Sequence, residues 1–145
     1  MFGNVNMFEK LRKWAVIDIE TSGLDSQEDQ IIDIGFLQFE GTQLVKKFTS
    51  LVRFPPEDEY FESPPKLSQF IQKLTGIKEK QLLRAPTWNE VRLELQELYG
   101  HHLIAHNASF EQSFLEGDFD VIDDGSARET YEDSLFYLSL LFFVV

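Results

Sequence analysis

No cysteine occurs in the 145-residue chain. A disulfide framework and a thiolate metal site are therefore excluded, and any bound metal must rest on oxygen or imidazole ligands. The same absence fits a reducing compartment. No secretory signal is legible either: Met1 to Lys13 carries charges but no apolar segment, which points to the cytoplasm. The run Leu135 to Val145 is strongly apolar, yet it falls short of the ~20 residues a membrane-spanning helix requires. It reads as core or interface, and no membrane partner is expected. Basic residues are scarce, with 13 Lys and Arg against 25 Asp and Glu and a net charge of -12. Such a chain does not coat long nucleic acid through phosphate contacts, although it can still grip a few terminal nucleotides beside bound cations.

What is present is enough for one domain spanning 1–145, since 43% of the residues are hydrophobic and a chain of this size buries roughly two thirds of its unfolded surface. The charge is uneven. Glu111 to Asp133 holds nine acidic residues and one basic one, whereas Lys66 to Arg84 holds Lys66, Lys73, Lys78, Lys80 and Arg84 against Glu79 alone. The second stretch is the one strip suited to facing phosphates; its bland reading is a solvated helix face.

Lys13 to Ile19 is β-rich and short, as a buried central strand should be, and Thr21-Ser-Gly-Leu-Asp25 breaks it as a turn. Ile31 to Phe39 and Leu44 to Val52 flank Glu40-Gly41-Thr42, so the three strands form an antiparallel meander. Pro55, Pro56, Pro64 and Pro65 then bracket an irregular acidic loop. Leu67, Phe70, Ile71 and Leu74 recur at helical spacing up to Gly76, a C-terminal stop. Thr87-Trp-Asn-Glu90 has the form of a capping box that opens a helix with Val91, Leu95 and Leu98 on its apolar face and Gly100 at its end. His102 to Ala105 is a short strand, Ser109 to Leu115 a helix, and Arg128 to Glu132 a last strand before an apolar helix capped by Asp133 or Ser134. The order βββααβαβα implies an α/β fold with a mixed sheet, a three-strand meander followed by strands alternating with helices, in the RNase H-like arrangement.

Asp18 and Glu20 lie two apart on a strand, so both carboxylates leave the same face just before a turn. Like charges that close repel, and a cation between them removes the cost, which suits an oxygen-ligand site for magnesium or manganese. The plain alternative is a solvated strand end. Further on, Ala105-His-Asn-Ala-Ser-Phe-Glu111 leaves a strand and enters a helix. Asn107 or Ser109 can cap that helix, while Glu111 sits in its first turn, where the helix dipole alone would favour a carboxylate.

On these residues the chain resembles the DEDD superfamily of 3'-5' exonucleases. Asp18-Ile-Glu-Thr-Ser-Gly-Leu24 is similar to the first exonuclease motif and His106-Asn-Ala-Ser-Phe-Glu111 to the second. Leu74-Thr-Gly-Ile77 and Ala85-Pro-Thr87 resemble the text between them, and Asp133-Ser-Leu135 resembles the start of the next helix. The likeness runs from about Trp14 to Leu141. It implies a two-metal phosphodiesterase that uses Mg2+ or Mn2+ to remove nucleotides from a single-stranded 3' end, of proofreading or repair type. Asp18 would bridge both ions, Glu20 would bind one, and Glu111 would take the place of the third acid. Thr21 and Leu24 would contact the terminal nucleotide, with Asn107 orienting the second motif beside it. The parent architecture this suggests is a polymerase subunit, a free-standing nuclease or the front of a helicase.

Two departures stand out. The third acid of the family is usually aspartate, and Glu111 is one methylene longer. The third motif, with a fourth aspartate and a histidine or tyrosine, is expected beyond Leu141, so the domain is expected to be incomplete at its C-terminus and the turnover of this chain to depend on that segment. His106 is expected to make a structural hydrogen bond, and Asp133 to cap a helix. The rival reading is a non-catalytic exonuclease-like module that binds a nucleic-acid end or a protein. Because Leu135 to Val145 is apolar nearly all round, self-association through Phe136, Leu140, Phe142 and Phe143 is also expected.

Overall fold

The computed structural model describes residues 12–56 and 62–120, with the side chains of 117–120 excepted. Four strands form one sheet in the order β3-β2-β1-β4: β1 (Lys13–Thr21), β2 (Ile31–Glu40), β3 (Gln43–Leu51) and β4 (His102–Ile104). The helices are α1 (Gln69–Thr75), α2 (Glu79–Leu82), α3 (Trp88–Leu95) with a 3-10 turn at Gln96–Leu98, and α4 (Ala108–Asp120). Among the described residues no helix is long and apolar enough to cross a membrane. The expected strand Arg128 to Glu132, the helix after it and the self-association surface lie outside the described residues.

β1 shows the alternation that the pleat imposes. Ala15, Ile17, Ile19 and Thr21 are buried, while Val16, Asp18 and Glu20 point the other way. β2 and β3 are joined by Gly41 and Thr42, a connection so short that the strands must run antiparallel. Gly41 takes the left-handed φ of 57° that this turn needs. β4 instead lies parallel to β1, with Trp14 beside His102, Ala15 beside Leu103 and Val16 beside Ile104. The meander and the parallel fourth strand make the mixed sheet expected from the sequence.

The described residues gather into two compact units. The first comprises the described parts of Met1–Asp18, Phe36–Phe48 and Leu98–Val145. Its core includes Trp14, Ala15, Ile17, Phe36, Leu98, Ala105 and Leu115. Trp14 stacks on Phe39 with ring centroids 4.0 Å apart and donates its indole N–H to the Gly41 carbonyl at 2.7 Å, so its one polar atom is satisfied. His101 is buried and shares a 3.2 Å hydrogen bond with Gln38.

The second unit comprises Ile19–Gly35 and the described residues of Thr49–Glu97. Ile32, Phe54, Leu67, Ile77 and Leu82 form its core, with Leu51 and Ile71 packed against them. Arg53 ties the chain across it, its backbone N–H reaching the Pro86 carbonyl at 2.8 Å and its Nε the Ala85 carbonyl at 3.0 Å. In α1 the Ser68 hydroxyl accepts from the Ile71 N–H, and Gly76 ends the helix at φ 77°, its N–H donating to the Gln72 carbonyl. The helix differs from expectation in one respect. Leu67 and Ile71 face the core, but Phe70 and Leu74 are 71% and 68% exposed. With only seven residues, α1 offers a single narrow side to the core.

Candidate active site

Asp18 sits near the end of β1, on the side of the strand opposite Ile17 and Ile19. Glu20 follows two positions along the same side and is half-buried. β1 then runs into a loop that is tied internally. The buried Thr21 donates its hydroxyl to the Gly23 carbonyl. Asp29 reaches back, accepting from the Ser22 hydroxyl and from the Asp25 backbone N–H, both at 3.1 Å. Gly23 leaves room for this arrangement, since a Cβ there would meet the Asp29 carboxylate and force it to shift. The loop holds Leu24 in solvent at 85% exposure.

In the first unit, which holds Asp18, the other candidate residues come from β4 and α4. The Asn107 carbonyl accepts from the N–H groups of Phe110 and Glu111, at 2.8 and 3.2 Å, and so opens α4. Its side-chain oxygen takes the Ser109 hydroxyl at 3.1 Å. Glu111, in the first turn, is only 5% exposed, and its Oε2 has no hydrogen-bond partner. A buried carboxylate oxygen left unsatisfied costs on the order of 1–3 kcal/mol, so either a proton or a cation is called for at that atom.

The Asp18 charge acts on Glu111. Burial pushes the Glu111 pKa up; its own backbone N–H opposes this, the Asp18 charge adds to it, and His106 and the Asn107 N–H oppose it again. Asp18 reaches the surface, yet the protein around its carboxyl group withdraws enough water to raise its pKa too, with His106 opposing. Both shifts oppose ionisation of the pair, and a divalent cation would reverse them. The donor set therefore fits a hard, oxygen-seeking ion.

His106 is exposed and bears on both carboxylates through its charge. The structural hydrogen bond expected of it is not among those formed by the described residues. No three His, Asp or Glu side chains converge into a metal-holding group among the described residues, so what is gathered is the Asp18–Glu111 pair with His106 beside it. That a buried orphan oxygen would mark the pair is something sequence could not disclose, because it depends on how Glu111 packs.

Comparison with known proteins bears on the family and the fold. The exonuclease family RNase_T matches residues 15–139. A PolC-type DNA polymerase III of Staphylococcus saprophyticus is 30% identical over 87% of this chain and 8% of its own length. The 3'-5' exonuclease DinG of Staphylococcus epidermidis is 35% identical over 74% of this chain and 11% of its own length. The chain thus spans about a tenth of these relatives. Among solved structures, exonuclease X in complex with 5' overhanging duplex DNA aligns with a TM-score of 0.51 and 25% identity, over 70% of this chain and 52% of that one. The nuclease domain of 3'hExo, a DEDDh family member bound to rAMP, aligns at 0.57 and 20% identity over 90% and 64%, which shows the shared RNase H-like fold. The chain belongs to the RNase_T exonuclease family of the DEDD superfamily.

Proposed function

We propose that this chain carries the metal-binding part of a 3'-5' exonuclease acting on single-stranded nucleic-acid 3' ends, with Asp18, Glu20 and Glu111 as ligands of Mg2+ or Mn2+. The observation that carries the reading is the buried, partnerless Oε2 of Glu111 in the field of Asp18. Two divalent ions, when bound, supply an activated water and offset the charge on the attacking and leaving oxygens. Magnesium keeps several waters and is commonly held by one or two carboxylates plus substrate phosphates, so a close pair is a sufficient anchor without a three-residue cage. Glu20 adds its carboxylate from the same side of β1 as Asp18.

The remaining roles follow from the loops. The Thr21 hydroxyl fixes the turn that presents Leu24, and the exposed Leu24 offers an apolar face to a terminal base. Asn107 sets the first turn of α4 and through it the position of Glu111. Glu111 is one methylene longer than the family's usual aspartate, which extends the reach of its carboxylate from α4. We read residues 1–145 as one cytoplasmic domain, because the family match runs across both compact units. The PolC-type polymerase and DinG exonuclease relatives suggest a proofreading or repair setting.

The test is shortening of a 5'-labelled single-stranded oligonucleotide in magnesium or manganese, beside the Asp18→Ala chain. Metal-dependent trimming from the 3' end that Asp18→Ala abolishes supports the full reading. No trimming by either chain, with manganese binding lost in Asp18→Ala, means that the site holds metal and that its chemistry awaits the third motif. Neither trimming nor metal binding overturns the proposal.

A further inference from the structure

The surface around α1 and α2 is a second feature that the metal site does not explain. In a chain with a net charge of -12, Lys66, Lys73, Lys78, Lys80 and Arg84 fall within nineteen consecutive positions, 66–84, that contain one acid, Glu79. All five cations are exposed. Interleaved with them is Phe70, at 71% exposure. Phe70, Lys73 and Leu74 stand at i, i+3 and i+4, so they share the outward face of α1, while Ile71 faces the core. The described residues of the second unit leave most of the Phe70 ring uncovered.

We infer that this face is an accessory binding track for single-stranded nucleic acid, in which the five cations meet successive phosphates and Phe70 stacks on an unpaired base. Charge complementarity selects the occupant: a run of exposed cations within nineteen positions of an otherwise acidic protein attracts a polyanion. The isolated exposed ring selects the single strand. A base in a duplex is already stacked, whereas a base in a single strand can lie on an aromatic side chain regardless of its identity. The track consists of residues other than those proposed to hold metal and does not depend on hydrolysis, so either reading can fail while the other stands.

The experiment uses the whole chain carrying Asp18→Ala, in EDTA, so that neither metal nor turnover contributes. Binding of a short fluorescein-labelled oligothymidylate is followed by anisotropy at several salt concentrations. The track predicts measurable, steeply salt-dependent binding. Lys73→Glu with Lys80→Glu should weaken it tenfold or more and lower the salt slope by about one for each phosphate no longer neutralised. Phe70→Ala should weaken it about tenfold with the salt slope unchanged, as loss of one stacked base does. Lys47→Glu, an exposed cation on β3 outside the strip, should have little effect. These side chains are all exposed, and the variants should melt with the parent. Parent-like affinity in the strip variants overturns the inference. So does equal weakening by Lys47→Glu, or displacement of the oligonucleotide by polyglutamate as readily as by unlabelled oligothymidylate, which would point to an acidic peptide.

Discussion

Glu111 carries a cost to stability in one buried side chain. Burial raises its pKa in the folded state, so ionising it costs folding free energy. The sign follows from linkage: the cost is absent below the unfolded-state pKa, grows as pH rises toward the raised folded value, and persists above it. Glu111→Gln cannot ionise. It should therefore make the metal-free chain more stable at neutral pH, by about 0.5–2 kcal/mol, the usual range for relieving one such defect. The gain should vanish below about pH 4, where glutamate is protonated in both states. Urea unfolding in EDTA at the two pH values measures this, and an unchanged gain at low pH would mean that packing, not charge, is responsible. Gly23 gives a second test at this scale. A Cβ there meets the Asp29 carboxylate, which is itself held by Ser22 and Asp25. Gly23→Ala should displace Asp29 and loosen the loop that presents Leu24, at a cost of about 1–3 kcal/mol, the range for overpacking. Thermal unfolding would read the cost, and a parent-like melt would show that Asp29 can swing clear.

At the scale of elements, α3 shows how a short helix is fixed from its end. Thr87 accepts from the Glu90 N–H at 3.3 Å, and the Glu90 carboxylate accepts from the Thr87 N–H at 2.8 Å and its hydroxyl at 2.9 Å. The Thr87 backbone hydrogen bond, followed by the hydroxyl, holds the Glu90 pKa below its ordinary value. That contribution is present above the unfolded-state pKa and is lost as pH falls through the lowered folded value. Thr87→Ala should cost about 1 kcal/mol at pH 7. Glu90→Gln should be less stable than the parent at neutral pH, and the difference should fade in acid; chemical denaturation at both pH values checks it, and a pH-independent difference would contradict it. This capping box was legible in Thr87-Trp-Asn-Glu90 because it depends on local spacing alone. The same holds for the ends of β1, β2 and β3, which fall within two residues of where the sequence placed them. α2 was not foreseen, since four residues carry no periodicity. The outward turn of Phe70 and Leu74 was not foreseen either, because spacing places them on a helix but only packing decides which side is covered.

For the molecule as a whole, the sequence disclosed the mixed sheet and the order of the two motifs, and the family resemblance already joined Asp18 with Glu111; what needed the fold is the strand pairing beside which their charges interact. β1 and β4 lie side by side only through a parallel pairing between segments about ninety residues apart, Trp14 to Val16 with His102 to Ile104. α4 then begins directly after β4 and carries Glu111 into the field of Asp18. The expected third motif and the apolar tail fall outside the described residues, so Asp18 and Glu111 are one part of a larger expected set. Because a ligand that binds only the folded state stabilises it by mass action, about 2.7 kcal/mol at a hundredfold excess over Kd, manganese should raise the melting temperature of the parent and leave Glu111→Gln nearly unmoved.

The most direct test of the paired carboxylate site is calorimetric titration of manganese into the whole chain and into its Glu111→Gln variant at neutral pH. Binding by the parent, weakened at least tenfold in the variant, is the predicted result. Equal affinity in the two, or no binding to a folded parent, would contradict the assignment of Asp18 and Glu111 as one cation site.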